Sequence, residues 1–203
     1  MSVPEFYQTI EQPSSAEFKD RGSRFIAYTF SIQTADDFKN HLQQLKKEHT
    51  KAVHHCFGYR LGTNGNNFRV SDDGEPSGTA GKPILGQIDS KGLTNVLVIV
   101  VRYFGGTLLG VPGLINAYKT AAAMALQLTP SIQKPITVRW QVTFDYTQMN
   151  DVMRWVKAFG CNVIEQDMQL FCKLIIDVPR SRMNDLKNLF ADMRGVEISN
   201  IRQ

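Results

Sequence analysis

The sequence that decides the fold is SDDGEPSGTAGKP (residues 71–83), followed by NVLVIVV (residues 95–101) and RYFGGTLLGVPGLINAYK (residues 102–119). The middle segment is a continuous apolar run, which is typical of an interior strand covered on both faces. A glycine-rich loop borders this strand on each side. Glycine loses the most backbone entropy on folding and buries no side chain, so such loops are usually retained for what they bind. We therefore expect the functional site within residues 71–119.

The overall composition is that of an ordinary globular protein. With 203 residues, 42% of them hydrophobic, the chain is long enough for one large domain or two small ones. A net charge of +4 permits nucleic acid as a partner without implying it. The longest apolar run is too short to span a bilayer, and the first residues lack the pattern of a signal peptide. Three cysteines without a CxxC pair are typical of a reducing compartment. We expect a cytoplasmic protein with no membrane contact.

The first half predicts a mixture of strands and helices that forms one α+β domain over residues 1–130. Its first dozen residues carry no strong pattern, and we expect them to be loosely held. Periodicity, turn signals and capping signals then predict two strands around a turn at Arg21–Gly22 within residues 16–32, a helix over 34–49, a strand over 52–61, a hairpin turn over 62–67, a strand over 67–71, a helix over 83–91, the interior strand over 95–101 and a helix over 114–128.

The second half has a shorter and more regular pattern. Residues 129–135 (TPSIQKP) contain two prolines, and within them we take residues 131–135 as a linker. Residues 136–203 then predict a strand over 136–146, a helix over 147–159, strands over 162–166 and 170–178, a helix over 181–193 and a strand over 196–201. This βαββαβ order is ferredoxin-like. Because no histidine follows His55, we interpret this domain as a binding module.

Neither glycine loop matches a nucleotide-binding motif. A phosphate loop ending at Gly81-Lys82 would need glycine where Pro76 stands and Ser or Thr where Pro83 stands. The glycines of residues 105–113 also miss the dinucleotide spacing. The helix starts that follow the two loops could still attract an anion through backbone N–H groups. The alternative is that the glycines only form tight turns.

Three carboxylates, Asp72, Asp73 and Glu75, lie within four residues of the first loop. They could bind Mg²⁺ as hard oxygen ligands. They could also cap the following helix and pair with Lys82 or Arg102. Carboxylates so close in sequence cannot all face one small ion unless the backbone turns, and this favours capping and pairing.

The strand over residues 52–61 contains His54-His55-Cys56. Successive strand residues face opposite sides, so His54 and Cys56 face one way and His55 the other. One zinc ion cannot take all three, and no further His or Cys is close in sequence. We predict instead that one histidine hydrogen-bonds Asp72 or Asp73.

The segment Arg102-Tyr103-Phe104 combines a cation with two aromatic side chains. The cation can bind a nucleic-acid backbone, and the aromatic rings can stack on bases. The alternative is that Phe104 belongs to the core, Tyr103 is half-buried and Arg102 balances the acids. We expect both, with Arg102 at the site and Phe104 in the core. Because the chain turns sharply after this strand, Gly105 or Gly106 should have a positive φ angle.

Three segments together resemble the IMPACT family: DDGEPSGTAGKPIL (residues 72–85), NVLVIVVRYFGG (residues 95–106) and the LG…GL…AY pattern (residues 109–118). His54 and Cys56 match that family's strand pattern, and the two-domain layout resembles its bacterial YigZ-type members. The resemblance implies an N-terminal domain with the ribosomal protein S5 domain 2-like fold and a ferredoxin-like C-terminal domain. These are similar to domains IV and V of the translocation elongation factor.

The resemblance also implies a role in translation. Eukaryotic members of the family regulate translation under amino-acid stress by binding an activator of an initiation-factor kinase. This sequence departs from the pattern in the second loop, where Leu108 and Asn116 stand at positions that are Lys or Arg in many members, and Pro112 stands where glycine is usual. The loss of two cations weakens the case for phosphate binding there.

We therefore expect a non-catalytic binding protein that regulates translation through RNA or a ribosome- or translation-associated protein, with no cofactor and no metal. The alternative is a Mg²⁺-dependent phosphoester hydrolase in which the three acids hold the ion and a histidine is the general base. The expected binding residues are His54, Asp72, Asp73, Glu75, Lys82, Arg102, Tyr103, Gly105, Gly106 and Lys119.

Overall fold

The computed structural model describes residues 4–201. Its contacts divide the chain into two compact units. The first unit is Tyr7–Lys134, and the second combines residues 135–201 with residues 4–6. No helix within residues 4–201 is long and apolar enough to cross a membrane.

The first part of the chain forms a five-stranded antiparallel sheet with helices on both faces. Its elements are β1 (Phe6–Ile10), β2 (Ser14–Asp20), β3 (Ser23–Ser31), α1 (Ala35–Glu48), β4 (His54–Leu61), β5 (Asn67–Ser71), α2 (Gly81–Ser90), β6 (Val96–Tyr103), α3 (Gly110–Gln127) and β7 (Ser131–Pro135). The strand order of the sheet is β2-β3-β6-β4-β5. Helix α1 begins with a capping box between Thr34 and Asp37, as the sequence predicts.

Strand β6 lies at the centre of this sheet and is buried on both faces. Its valines at positions 96, 98 and 100 pack in one core with α2 and α3. Its alternate residues, at positions 97, 99 and 101, pack in a second core with Phe38 and Leu45 of α1. The prediction of an interior strand covered on both faces is confirmed.

Two segments that were expected to be irregular are strands. Strand β1 lies within the residues expected to be loosely held, and it pairs with β7. Strand β7 occupies residues 131–135, which were predicted as a linker. Pro130 precedes the strand and Pro135 ends it, and proline is tolerated at strand ends because no ladder hydrogen bond is lost there. The backbone N–H of Glu11 also donates to the Pro130 carbonyl oxygen at 3.1 Å. The segment is therefore held by backbone pairing, which argues against preferential proteolysis there.

The second unit has the predicted ferredoxin-like order, which is confirmed together with the α+β class. Its elements are β8 (Thr137–Asp145), α4 (Met149–Ala158), β9 (Asn162–Met168), β10 (Phe171–Pro179), α5 (Met183–Asp192) and β11 (Val196–Asn200). The antiparallel strand order is β11-β8-β10-β9. Helices α4 and α5 pack through Val152, Val156, Leu186 and Phe190 on one face of this sheet. Among the described residues of this unit, no helix packs on the other face.

Candidate functional site

A buried polar network lies where the first glycine loop meets β6 and α3. The Arg102 Nη1 donates to the Glu75 Oε1 at 2.5 Å, and the Tyr118 hydroxyl donates to the same oxygen at 2.7 Å. The side chains of Arg102 and Glu75 are only 7% and 4% exposed. Burial of both charges is tolerated because they pair with each other and Glu75 also accepts from Tyr118, while the buried Arg102 Nε has no hydrogen-bond partner among the described residues.

The sheet register explains why Arg102 lies inside the protein. In β6, Arg102 follows Val100 by two residues and therefore faces α2 and α3. It pairs in register with Phe25 of β3 and His54 of β4. Its guanidinium carbon lies 5.4 Å from the centre of the Phe25 ring, a distance at which a cation and an aromatic face attract each other. The structure thus corrects the expected role of Arg102, because its side chain is not presented to solvent.

Cys56 and Tyr118 complete the interior of this network. The Cys56 sulfur lies 3.0 Å from the Asp72 carbonyl oxygen and 3.3 Å from the Tyr118 hydroxyl oxygen. Burial raises the pKa of the Cys56 thiol and of the Tyr118 hydroxyl far above their ordinary values. The thiol is therefore held in its neutral, weakly nucleophilic form.

Asp72 caps the start of α2. Its carboxylate accepts hydrogen bonds from the backbone N–H groups of Gly78, Ala80 and Gly81 at 2.8, 3.0 and 2.8 Å. Burial raises the pKa of this carboxyl group, but the three N–H donors outweigh burial and hold the pKa below its ordinary value. The predicted capping role is confirmed. The donors expected to attract an external anion at this helix start are occupied by Asp72.

Asp73 and the two histidines join the first loop to β4. The backbone of Asp73 has a positive φ of 41°. Its carboxylate accepts from the backbone N–H of His55 at 2.7 Å, and its carbonyl oxygen lies 2.8 Å from the His54 Nδ1. Because a carbonyl only accepts, the His54 Nδ1 must carry the hydrogen. The predicted bond between a histidine and this loop is confirmed, although the acceptor is the backbone oxygen.

The three carboxylates of the first loop do not converge on a common point. Asp72 is bound to the α2 backbone, Asp73 to the β4 backbone and Glu75 to Arg102 and Tyr118. The His54 Nε2 lies 3.8 Å from the Glu75 Oε1. Within residues 4–201, no group of three or more His, Cys, Asp or Glu side chains has metal-site geometry. The arrangement is that of caps and ion pairs, and it does not favour the Mg²⁺ hydrolase alternative.

The remaining predicted site residues have different surroundings. Lys82 and Lys119 are exposed, the first in the opening turn of α2 and the second on α3. Tyr103 is half-buried, with its hydroxyl 2.8 Å from the His49 Nδ1. Phe104, expected in the core, is 49% exposed because it follows the last residue of β6.

The second glycine loop makes a close backbone contact. Gly106 has a φ of +86°, which confirms the predicted positive φ. Gly105 does not, but a Cβ atom on it would lie 1.9 Å from the carbonyl carbon of Gly22. Only a residue without a side chain fits there. Gly22 is part of the predicted turn between β2 and β3, so the two loops support each other.

Sequence reasoning missed two members of the network. The sequence pointed to Tyr118 only through the AY pattern, and to Cys56 only as a poor metal ligand and as a match to the family's strand pattern. The alternation of β4 places Cys56 on the same face as His54, which was the available signal. Nothing in the local pattern of α3 singles out Tyr118 from the other core residues of that helix.

Four exposed apolar side chains lie between the end of β6 and the second turn of α3. Phe104, Leu108, Val111 and Ile115 are 49%, 82%, 51% and 38% exposed. Val111, Ile115 and Lys119 are spaced by four residues and therefore lie on one side of α3. We define the loop surface as the side chains of Phe104, Leu108, Val111, Ile115 and Lys119.

Comparison with known proteins agrees with these features. The Impact N-terminal domain family matches residues 21–126. An IMPACT family member from Haemophilus influenzae is 34% identical over 171 residues, which cover 82% of this chain and 83% of that protein. This chain belongs to the IMPACT family.

Two further relatives extend the similarity to the second unit. The IMPACT family member YigZ from Escherichia coli is 33% identical over 177 residues, which cover 86% of this chain and 85% of that protein. A crystal structure of a hypothetical protein is 27% identical, with a TM-score of 0.79 over 99% of this chain and 100% of that one.

Proposed function

We propose that this IMPACT family protein is a non-catalytic, cytoplasmic binding protein that regulates translation by contacting a ribosome-associated protein through the loop surface. Membership of the family supports the role in translation. The exposed apolar side chains of the loop surface are the observation that carries the contact, since clustered exposed apolar groups mark interaction sites.

The hydrogen bonds of the loop acids and the burial of the Cys56 thiol support binding rather than chemistry. Each acid of the first loop already accepts hydrogen bonds from the protein, and burial keeps the Cys56 thiol neutral. A general base or a nucleophile needs a free lone pair within reach of a substrate. The network instead holds the first loop in a fixed position, and the contact between Gly105 and Gly22 holds the second, which lowers the entropy cost of binding.

The chemistry of the loop surface favours protein over RNA as the partner. Four of its five side chains are apolar, and Lys119 is its one cation. Arg102, which was expected to bind phosphate groups, is buried inside the protein and paired with Glu75. Binding to an RNA backbone depends on several accessible cations.

The test is co-sedimentation of the full chain with ribosomes. We expect the double variant Phe104→Ser/Leu108→Ser to weaken association by roughly tenfold or more, because burial of two large apolar side chains contributes on the order of 2 kcal/mol or more. The matched control is Val53→Ser/Phe68→Ser, which alters two apolar residues that are 56% and 55% exposed. Equal association of wild type and the loop variant would overturn the proposal.

Nuclease treatment and salt dependence separate RNA from protein. A ribosome-associated protein partner should still bind after the RNA is digested. If RNA is the partner, Lys82→Ala/Lys119→Ala should reduce the slope of log K against log salt by about 1.4, since each contact with a single strand contributes about 0.7. The control Lys47→Ala/Lys51→Ala removes the same charge from exposed positions at the end of α1 and in the loop that follows it.

A further inference from the structure

Strand β9 in the second unit is an open sheet edge. It pairs only with β10 among the strands of residues 4–201, so one side of its backbone is available. Natural proteins protect such edges with short strands, lysine, proline or bulges. β9 has seven residues, and its sequence NVIEQDM contains neither lysine nor proline. A bulge interrupts its pairing near Ile175 and Ile176, which leaves residues 165–168 in regular register.

Apolar side chains cluster along this edge and in the turn that follows it. All seven residues of β9 are exposed. Val163, Ile164 and Met168 are 37%, 43% and 37% exposed, and Leu170 and Phe171 reach 71% and 77%. A concentration of apolar groups beside an open backbone edge is typical of a surface to which another strand is added.

The charge of the uncovered sheet face restricts what can be added. The register places Glu197, Thr143, Lys173 and Asp167 in one row across the sheet, and Ser199, Gln141, Ile175 and Glu165 in the next. The strands give this face five carboxylates (Asp145, Glu165, Asp167, Asp177 and Glu197) and two cations (Arg139 and Lys173), a net charge of −3. Arg139 is already paired with Asp177 at 2.9 Å. The sheet face beside the open edge of β9 is therefore acidic.

Glu165 and Asp167 lie beside a depression on this face. It has a volume of about 200 Å³ and is lined by Glu165, Gln166, Asp167, Lys173 and Ile175. Such a volume can accept the end of one long side chain. A cationic side chain placed there would lie beside both carboxylates, which together outweigh the single positive charge of Lys173 in the same lining.

We propose that β9 binds an extended basic segment of a partner protein, which adds to the sheet as a fifth strand. Lysine or arginine at alternate positions of this segment faces Glu165 and Asp167. The intervening apolar residues pack beside Val163 and Met168 on the other face. Main-chain hydrogen bonds supply affinity, and the alternating side chains supply specificity.

The carboxylates of Glu165 and Asp167 disfavour two other binding partners, a second copy of the chain and a nucleic acid. A second copy of the chain, paired antiparallel through β9, would bring two copies of Glu165 and Asp167 onto one face, and like charges on neighbouring strands are destabilising. The phosphates of a nucleic acid would meet the same carboxylates. A basic segment is attracted by them.

The test uses the full chain and a blocked peptide of alternating lysine and valine, about seven residues long to match a typical strand. Backbone NMR shifts and hydrogen exchange should show binding at residues 162–171 and slower exchange of β9 amides. A peptide with glutamate in place of lysine should not bind. The variant Glu165→Gln/Asp167→Asn should weaken binding of the lysine peptide by roughly three- to tenfold, since exposed charge pairs contribute modestly.

The matched control is Asp185→Asn/Asp192→Asn, which makes the same change of charge at two exposed residues of α5. It should leave the affinity unchanged. Equal binding of both peptides, binding elsewhere on the chain, no binding, or equal effects of the two variants would overturn the proposal. So would a concentration-dependent dimer that the β9 variant strengthens, or an RNA oligonucleotide that shifts the β9 resonances.

Discussion

The two units place their polar residues in opposite ways. In the first unit, Glu75 and Arg102 of the most distinctive segment point inward, where they form a buried network with Tyr118. In the second unit, the charges of an unremarkable strand, β9, lie on an uncovered sheet face. The distinctive segment therefore supplies the buried network, while β9 offers a surface open to partners without carrying a motif. The predictions below test this contrast.

Removal of the Arg102 side chain should have the largest effect on stability. Arg102→Ala leaves Glu75 charged and buried, which typically costs about 3–5 kcal/mol. Chemical denaturation of the full chain measures this loss. The control is Arg24→Ala, which breaks a pair with Glu17 that is largely exposed, and which should change stability little. Similar effects of the two substitutions would mean that the network is not a stabilising feature.

The two glycines of the second loop should differ in their tolerance of alanine. Gly105→Ala puts a Cβ atom into the backbone of Gly22 and should destabilise by about 1–3 kcal/mol, or more. Gly106→Ala meets open space but retains an unfavourable positive φ, so its effect should be about 1 kcal/mol. Thermal unfolding of the two variants compares them. A larger effect at Gly106 would contradict the close contact between the loops.

The Asp72 cap should give a smaller effect that depends on pH. Asp72→Asn keeps one acceptor oxygen but loses the charge, so we expect a loss of about 1 kcal/mol at neutral pH. The folded-state pKa of Asp72 lies below its ordinary value of 3.8, so the carboxylate stabilises the fold above that value. This contribution is lost as the pH falls through the folded-state pKa. The stabilities of wild type and variant should therefore converge below about pH 4, and a constant difference would contradict the cap.

Much of the first unit could be predicted because its signals are local. The apolar run over residues 95–101 indicated a strand buried on both faces, and among the acids of the first loop Asp72 was correctly interpreted as a cap and Glu75 as a partner of Arg102. Asp73 instead accepts from the β4 backbone. The alternation of β6 also indicated that the Arg102 side chain points into the protein, since Arg102 lies two residues after the buried Val100. The expectation that Arg102 binds a partner rested instead on a cation standing beside two aromatic residues.

Other features could not be predicted from local patterns. Strand β7 forms only because it pairs with β1, which comes from the opposite end of the first unit's sequence. Phe104 is exposed because β6 ends at Tyr103, and strand ends are poorly defined by sequence. The acidic sheet face of the second unit depends on the register of four strands, since its charges come from β8, β9, β10 and β11.

A double-mutant cycle between Glu75 and Arg102 tests the central claim most directly. The free energies of unfolding are measured for Glu75→Gln, for Arg102→Met, for the double variant and for wild type. If the pair is a buried structural unit, the double variant should be more stable than the sum of the single changes predicts, with a coupling of about 2 kcal/mol. Additive effects, within about 0.5 kcal/mol, would show that the two side chains act independently and would contradict the account.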